Sequence, residues 1–283
     1  MTSRTPPRSP PPRRSDLPPE TGEVPIDICV LASGSGGNAT YVRSADSAIL
    51  IDSGVSLKDL QRRASAAGVS LASLDAVVVS HGHSDHVNGV PVLCRRMGIP
   101  VFTSRGTAAE TGLCGAVGDE LSRLFDTGES FEVAGIQVTS FSVPHDSADP
   151  SGFAISDGEV RAGFATDLGS LTLEVLNALD GCDALVLESN HDEVMLAEGP
   201  YPPMLKKRVK GPRGHLSNDD AAELLATVAH RDLRQLVLAH LSRTNNVPEL
   251  PLETAAKALA GRSPSVEISL GWQDRPGLLI KIR

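Results

Sequence analysis

The chain has 283 residues, a formal net charge of −9 at pH 7 and an apolar content of 40 %, with only 3 % aromatic residues. This length suffices for one large domain or two small ones, and the core must consist mainly of Ala, Val, Leu and Ile. The acidic balance argues against a protein coated all over for nucleic acid, although it leaves room for a local basic patch. The 4 cysteines are scattered without C-x-x-C spacing, as is typical of buried thiols in a reducing compartment, so we expect a cytoplasmic protein.

The beginning of the chain differs in composition from the rest. Residues 1–24 are rich in Pro, Arg and Ser and contain no apolar segment, which predicts a disordered tail and not a secretory signal. No stretch of the sequence is long and apolar enough to predict a membrane span. No linker interrupts the remainder, so we expect a single domain over residues 25–283.

Short apolar runs alternate with helical patterns after the tail, which indicates mixed sheets covered by helices. One helix start is well marked, since Ser217 or Asn218 can cap it and acids follow in its first turn. The predicted strands are Ile26–Ala32, Ala48–Asp52, Ala76–Ser80, Pro100–Thr103, Gln137–Val143, Gly152–Ser156, Val160–Thr166, Ala184–Glu188, Gln235–Ala239, Ser265–Ser269 and Leu278–Ile282. The predicted helices are Leu57–Ala67, Val87–Met97, Thr107–Thr111, Leu171–Leu179, Asn218–His230 and Leu252–Ala260.

A cluster of candidate metal ligands follows the apolar run "DAVVV". The segment "SHGHSDHVNG" (80–89) contains three of the 8 histidines of the chain, together with Asp85. His81 and His83 alternate, so an extended loop turns both the same way. The turn into the following helix brings Asp85 and His86 to a neighbouring point. One loop is therefore predicted to supply two ligands to each of two adjacent metal ions.

Three more candidate ligands each follow an apolar run, as His81 does. They are His145 in "FSVPHD", Asp167 in "FATDLG" and His240 in "VLAHLS", and we expect them to meet at one edge of the layered sheets. A single histidine is more often a core or surface residue than a ligand, but the joint pattern favours a metal site. Imidazole nitrogen with carboxylate oxygen suits Zn, Mn or Fe, and the lack of a nearby cysteine argues against a structural zinc knot.

The motif "HGHSDH" resembles the H-x-H-x-D-H motif of the metallo-β-lactamase superfamily, and the downstream His, Asp and His match its remaining ligands in order. The resemblance extends over nearly everything after residue 25. It implies an α/β (α+β) fold, a four-layer αββα sandwich, with two divalent metal ions between the sheet edges and with Asp167 bridging them. The resemblance assigns His81, His83 and His145 to one metal, and Asp85, His86 and His240 to the other.

Four further segments narrow the family: "LASGSGGNATYV", "LESNHD", "GPYPPMLKKRVKGPRGHLSN" and "LAHLSRTNN". They are similar to the YycJ/WalJ-type branch, which lies close to tRNase Z and the phosphodiesterase PhnP and is associated with DNA exonuclease activity. The resemblance implies that the substrate is a nucleic acid, with DNA favoured over RNA. Because one superfamily hosts many chemistries, the fold alone does not fix the activity.

Two polar segments follow other predicted strands. The glycines of "GSGGN" (34–38) would let backbone amides cradle an anion, but a tight turn with positive φ is the more common use of an isolated loop of this kind. Neither G-K-[ST] nor G-x-G-x-x-G accompanies it, which argues against a nucleotide cofactor. For Asp52 in "IDSG", the resemblance implies hydrogen bonds that hold the ligand loop, not contact with a metal.

Two histidines outside the ligand set are candidates for contact with the substrate. His215 directly precedes a helix and is similar to the G-H segment of tRNase Z-like enzymes, which implies contact with the scissile phosphate or protonation of the leaving oxygen. A structural role for His215 is equally compatible with the sequence. His191 in "ESNHD" is a weaker candidate for substrate binding, and Glu188 and Asn190 are weaker still.

The segment "LKKRVKGPRGH" is basic and contains no acid, in a chain that is acidic overall. A run of charge is usually a solvated surface, but its position beside His215 favours contact with a phosphate backbone. Such contacts add salt dependence to binding without reading sequence. No aromatic-rich stacking platform is visible, so extended single-strand binding by base stacking is not expected. The predicted substrate-binding cations are Lys206, Lys207, Arg208 and Arg213.

Together these features predict phosphodiester hydrolysis by a nuclease. Two metal ions about 3.5–4 Å apart at such a site would lower the pKa of a bridging water, so that hydroxide would be available near neutral pH to attack phosphorus. The predicted catalytic residues are Asp85, which accepts the proton of the attacking water, and His215, which donates one to the departing hydroxyl. Two alternatives stay open: a hydrolase of a small ester, thioester, lactone or cyclic phosphodiester, and a nucleic-acid-binding protein with structural metals. Against the second, seven His and Asp ligands for two metals leave open positions, which structural zinc normally does not.

Overall fold

The computed structural model describes residues 26–283, so the predicted tail, residues 1–24, lies outside the described residues. The strands of residues 26–283 form two seven-stranded sheets. The first sheet contains β1 Ile26–Ala32, β2 Ala39–Ser44, β3 Ser47–Ile51, β4 Leu74–Val78, β5 Val101–Ser104, β6 Ser122–Phe125 and β14 Ile280–Ile282. The second contains β7 Ser130–Val133, β8 Ile136–Ser142, β9 Ser151–Ser156, β10 Arg161–Ala165, β11 Ala184–Glu188, β12 Gln235–Ala239 and β13 Glu267–Leu270.

The two sheets are built on the same plan. The first has the strand order β14-β1-β2-β3-β4-β5-β6 and the second the order β13-β12-β11-β10-β9-β8-β7. In the first, β14 to β3 pair antiparallel and β3 to β6 pair parallel. In the second, β7 to β10 pair antiparallel and β10 to β13 pair parallel. Each parallel half therefore brings the carboxyl ends of its strands to one edge, where loops carry functional residues in open α/β sheets.

Helices cover the outer face of each sheet. Leu60 and Leu93, each in a helix, pack on the first sheet, and Val175 and Leu224, also helical, pack on the second. The α-helices of the described region are α1 Leu57–Ala67, α2 Ser84–Val87, α3 Val90–Met97, α4 Arg105–Thr111, α5 Leu113–Val117, α6 Leu173–Leu179, α7 Glu193–Glu198, α8 Pro203–Val209, α9 Asn218–Val228 and α10 Glu249–Leu259.

The hydrophobic core lies in three layers, one between the sheets and one beneath each set of helices. Strand β4 shows how the sequence divides among them. Ala76 and Val78 belong to the layer between the sheets, whereas Val77, and Val79 directly after the strand, belong to the layer beneath α1 and α3. Successive side chains of a strand point to opposite faces, so a strand buried on both faces is apolar throughout. The predicted αββα sandwich is therefore confirmed.

Most predicted elements are present, and the differences occur in short or polar segments. Helix α1 has the predicted bounds, and Ser217 caps α9 through a capping box with Asp220. Strands β2, β6 and β7 were not predicted, because their sequences "ATYVRS", "SRLF" and "SFEV" mix polar with apolar residues. Within residues 26–283, no helix is both long enough and apolar enough to cross a bilayer.

Candidate metal centre

The segment that follows β4 brings four of the predicted ligands together. His81 and His83 lie in an extended loop, and Asp85 and His86 lie in the single helical turn α2. The prediction of one helix over Val87–Met97 is wrong, because α2 ends at Val87 and α3 begins only at Val90. The break follows from two bonds to the neighbouring strand end: Ser53 N donates to His86 O at 2.8 Å, and Gly89 N donates to Ser53 O at 2.7 Å.

Two groups of three side chains face each other across the centre. One ligand atom of each of His81, His83 and His145 lies within 4.8 Å of the others, and the same holds for Asp85, His86 and His240. These are the two sets that the resemblance implies. His145 Nε2 lies 3.2 Å from His83 Nδ1, and Asp85 Oδ2 lies 3.5 Å from His86 Nε2. Backbone contacts hold His145, since its Nδ1 lies 3.0 Å from Gly214 O.

Asp167 lies between the two groups. Its Oδ1 is 3.8 Å from His145 Nε2 and 3.6 Å from His240 Nε2, and its Oδ2 is 3.2 Å from His86 Nε2. Asp167 and His240 have φ angles of 57° and 56°, and Asp52 has a φ of 60°. Left-handed φ is uncommon outside glycine, and such residues cluster at functional sites. The chain therefore turns sharply at three strand ends around this one point.

Asp52 orients the loop and one of its histidines. Its Oδ1 accepts from Ser80 N and its Oδ2 accepts from Ser80 Oγ, both at 2.8 Å. Its Oδ2 also lies 2.8 Å from His86 Nδ1. With Nδ1 donating to this carboxylate, His86 presents Nε2 to the centre, which is the usual arrangement of a carboxylate behind a metal-binding imidazole. Asp52 thus holds the ligand loop, as the resemblance implies.

The buried atoms at the centre fit divalent cations. His81 Nε2, His240 Nε2 and Asp167 Oδ2 are buried without a hydrogen-bond partner among the described residues. Buried polar groups normally have a hydrogen-bond partner, so the position of each of these atoms is the one expected of a metal ligand. Nitrogen and carboxylate oxygen are suitable donors for Zn, Mn or Fe.

Electrostatics favour positive charge at the same point. Burial alone would lower the pKa of His240, but the Asp167 and Asp85 carboxylates and Glu188 raise it to about 10. Burial and the neighbouring imidazole of His86 hold the pKa of His81 well below its usual value. The centre therefore combines a carboxylate field that attracts cations with a neutral imidazole, the protonation state that binds metals.

His215 lies next to this centre and is oriented by a carboxylate that the sequence analysis ranked low. The fully buried Glu188 places Oε1 2.8 Å from His215 Nδ1 and 3.0 Å from His240 Nδ1. The rings of His215 and His240 stack with centroids 5.2 Å apart. Burial alone would lower the pKa of His215, but the Glu188 carboxylate raises it. Glu188 ends the apolar run "ALVLE" of β11, so the rule that predicted ligands at the ends of apolar strands also applies to it.

The other predicted substrate residues are distributed around His215. His191 is 1 % exposed, its Nδ1 is buried without a partner in the described region, and it lines a cavity of about 390 Å³ with His215. Arg213 Nε donates to His145 O at 3.2 Å. Arg208, in α8, donates through Nε at 2.6 Å to Oδ2 of Asp146.

Asp146 connects Arg208 to the candidate metal centre. The other oxygen of Asp146, Oδ1, lies 3.4 Å from His145 Nε2 and 3.7 Å from His83 Nε2. Lys206 turns away instead, since its Nζ donates to Ala197 O at 2.6 Å. Lys207 is exposed. Of the basic segment, Arg208 therefore lies at the opening of the centre, while the lysines lie farther along α8.

The glycine-rich loop after β1 is a tight turn. Gly34 N donates to Asn38 Oδ1 at 2.7 Å, Gly36 N to Gln273 Oε1 at 2.7 Å, and Gly37 N to Gly34 O at 2.9 Å. These three amides are engaged within the protein and are not free to cradle an anion. The more common use of such a loop, preferred in the sequence analysis, is the one observed.

Comparison with known proteins agrees with this architecture. Residues 47–241 match the model of the β-lactamase superfamily domain. The chain is 35 % identical over 235 residues to the exodeoxyribonuclease YycJ of Bacillus anthracis, covering 83 % of this chain and 89 % of the relative. It is 31 % identical over 255 residues to the exodeoxyribonuclease WalJ of Streptococcus pneumoniae, covering 89 % of this chain and 95 % of the relative.

Among solved structures, the metallo-β-lactamase fold protein YhfI of Bacillus subtilis superimposes with a TM-score of 0.69 at 17 % identity, covering 91 % of this chain and 99 % of that one. This likeness concerns the fold alone. The family match covers more than half of the chain, and both relatives are covered over most of their length. The chain therefore belongs to the β-lactamase superfamily, in the family of the YycJ and WalJ proteins.

Proposed function

We propose that this protein is a metal-dependent nuclease, an exonuclease that acts on DNA in preference to RNA. The observation that carries the proposal is the meeting of seven His and Asp side chains in a chain 35 % identical to an exodeoxyribonuclease over 83 % of its length. A small-ester hydrolase could use the same centre, but it would have no need for the cationic segment whose Arg208 lies at the opening.

The proposed ligand sets are those named above, with Asp167 shared between two divalent ions, Zn or Mn, with Fe as a further possibility. Open coordination positions and the absence of thiolate favour a catalytic over a structural role. Two bound cations would lower the pKa of a bound water, so that hydroxide would be available near neutral pH. They would also offset the negative charge that accumulates on the phosphate oxygens.

The side chains of the protein supply the proton transfers. Nδ1 of His215 is engaged by Glu188, so Nε2 is the atom from which His215 gives a proton to the departing hydroxyl. Its raised pKa keeps this imidazole protonated at higher pH than a free one. Burial would raise the pKa of Asp85, but the neighbouring His240 and His86 imidazoles hold it below its usual value, so the carboxylate remains ionised toward the attacking water.

Binding of the polyanion falls to the cationic segment. Arg208 and Arg213, which both lie close to His145, contact phosphate beside the metal centre, and Lys206 and Lys207 contact the backbone of the nucleic acid farther along α8. His191 lines the cavity beside His215 and contacts the same strand of the nucleic acid. All four cysteines are free thiols, which supports our proposal that the protein acts in the cytoplasm.

The test is an assay of the purified protein, reconstituted with Zn or Mn, on DNA and RNA labelled at either end, single- and double-stranded. We expect mononucleotides to be released progressively from one end of DNA, more slowly from RNA, and EDTA to abolish the reaction. Turnover of a thioester or lactone without nucleic acid hydrolysis would identify a small-ester hydrolase. Tight DNA binding without turnover in the metal-loaded protein would identify a binding protein.

A further inference from the structure

A second cavity lies next to the segment that follows His240, and it shares no lining residue with the His215 cavity. Its volume is about 240 Å³, and it is walled by the loops that follow β1, β12 and β13. The first loop contributes Ser33, whose Oγ accepts from His240 N at 2.6 Å. The second begins with Leu241 and Ser242, directly after His240. The cavity therefore adjoins the backbone of His240, a proposed metal ligand.

Its third wall contains Trp272, the single tryptophan of the chain. The indole is half-buried, and the guanidinium of Arg275 lies 4.2 Å from the ring centroid. Val247, which is 40 % exposed, adds an aliphatic surface opposite the loop of Trp272. An aromatic ring with an adjacent cation and an aliphatic neighbour is the kind of surface on which nucleobases stack.

The walls are fixed in place. Ser33 N donates to Trp272 O at 3.1 Å, and the buried Arg63 donates from Nη1 to Gln273 O at 2.9 Å. Gln273 in turn accepts from Gly36 N. A pocket held by such bonds needs little rearrangement to receive a ligand, which favours binding.

We propose that this cavity binds one nucleobase, that of the nucleotide adjoining the scissile phosphate. The proposal rests on the proposed nuclease function, because it takes the metal centre as the place of the phosphate. Cations line the cavities near His215: Lys210 borders both the His215 cavity and a further cavity that Lys206 and Lys207 line. A strand whose backbone follows these lysines reaches the metals and ends with its base against Trp272. Trp272 is the one aromatic residue that lines this cavity, and the phenylalanines in contact with one another lie in or against the core, so the pocket takes one base and not a stack.

The single tryptophan reports on this pocket directly. With excitation selective for tryptophan, the metal-loaded protein is titrated with dAMP, dTMP and deoxyribose 5-phosphate, and N-acetyltryptophanamide is titrated in parallel to correct for absorption. We expect saturable quenching by both nucleotides and none by the sugar phosphate. Unquenched fluorescence, or equal quenching by the sugar phosphate, would overturn the proposal. This readout does not require turnover, so failure of the nuclease assay and failure of the base pocket are distinguishable.

Variants extend the test to catalysis. Trp272→Leu keeps an apolar side chain without a ring to stack, and Trp272→Phe keeps a ring. For Trp272→Leu we expect the ratio of kcat/KM on DNA to kcat/KM on bis(p-nitrophenyl) phosphate to fall at least tenfold, mainly through KM on DNA, and Trp272→Phe to restore most of it. Leu173→Ala, at a residue 79 % exposed on α6, is the control and leaves the ratio unchanged. An unchanged ratio in Trp272→Leu would mean that Trp272 has only a structural role.

Discussion

The carboxylate of Glu188 accepts a hydrogen bond of 2.8 Å from Nδ1 of His215, at the end of a fully buried strand. The same oxygen lies 3.0 Å from His240 Nδ1. One buried acid therefore orients both the proposed proton donor and a proposed metal ligand. Glu188 therefore links the proposed proton donor to the proposed metal centre. Substitutions at His215 and at Glu188 can distinguish the two roles.

For His215→Ala we expect kcat on DNA to fall about 10²–10⁴-fold, the usual contribution of a general acid. Bound metal should stay at the wild-type level, because His215 is not in either ligand set. Glu188→Gln should lower both kcat and metal affinity, since it also loses the contact with His240. Metal analysis after gel filtration, together with steady-state kinetics, checks both. If His215→Ala were to lose its metal, His215 would be a ligand and not a donor.

A second prediction concerns Asp52. Its Oδ2 accepts a hydrogen bond from Ser80 Oγ and lies 2.8 Å from His86 Nδ1. In Asp52→Asn, the amide nitrogen would replace this oxygen and would place a donor against His86 Nδ1. His86 would then be forced toward the tautomer that carries its proton on Nε2. We expect metal affinity to fall about 10–100-fold, as is typical when such a partner is lost. Competition with a chelating dye measures it.

The control for that change is Asp75→Asn. Asp75 also accepts a backbone bond, from Ala48 N at 2.9 Å, but it lies at the opposite end of β4 from the ligand loop. Its substitution should leave metal affinity unchanged. Equal losses in both variants would mean that Asp52 acts on general stability and not on His86.

The salt dependence of DNA binding tests the cationic segment. Lys207 is exposed on α8, and Lys257 is 73 % exposed on α10. Each phosphate contact contributes a slope of about −0.9 to the plot of log binding constant against log salt on duplex DNA. We expect Lys207→Ala to reduce this slope by about one contact and Lys257→Ala to leave it unchanged, measured in EDTA by fluorescence anisotropy. Equal slopes in all three proteins would remove Lys207 from the DNA interface.

The sequence alone was sufficient to predict the pattern that recurs along the chain, in which a His or Asp side chain follows an apolar strand. The rule that candidate ligands follow apolar strands predicted that His145, Asp167 and His240 would lie close together, and they do, because β8, β10 and β12 run in the same direction and end at one edge. It failed where bonds between distant segments decide the structure. The break after Val87 depends on the carbonyl of Ser53, which no local pattern reveals. Glu188 was underrated because its role depends on two histidines that are distant in sequence.

The same limit applies to the surroundings of the site. Arg208 was predicted to contact phosphate, but its bond to Asp146, and through Asp146 to the metal centre, depends on how α8 packs. Trp272 was not recognised as a candidate binding residue, because a single aromatic residue forms no sequence motif. Three loops from both sheets must meet before its cavity exists.

Cysteine reactivity tests the packing of the core. Burial raises the pKa of Cys29 and of Cys94 to about 12 and that of Cys182 to about 11. The thiolate is the reactive form, so these three should not react with Ellman's reagent at pH 8 in the folded protein. Cys114 is partly exposed and should react. We expect one thiol per chain under native conditions and four in guanidinium chloride; more than one in the folded protein would contradict this packing.

The last prediction concerns Gly54, which has no room for a side chain. A Cβ at this position would lie 1.6 Å from Asp85 O and 2.9 Å from Asn38 N, and these two atoms are themselves joined by a hydrogen bond of 2.8 Å. Gly54→Ala must therefore displace the backbone of Asp85, and overpacking of this kind costs about 1–3 kcal/mol or more. We expect a lower Tm and loss of at least one bound metal ion.

Gly115→Ala is the matched control. Its added Cβ would meet nothing within 4 Å, and Gly115 lies in the helix α5 without a positive φ. Alanine is favoured over glycine in helices by about 0.5–1 kcal/mol, so this variant should have an equal or higher Tm and full metal content. Thermal unfolding and metal analysis of the two variants then separate a general effect of adding a methyl group from displacement of the ligand loop. A Gly54→Ala protein with wild-type metal content and Tm would show that this close approach does not position Asp85.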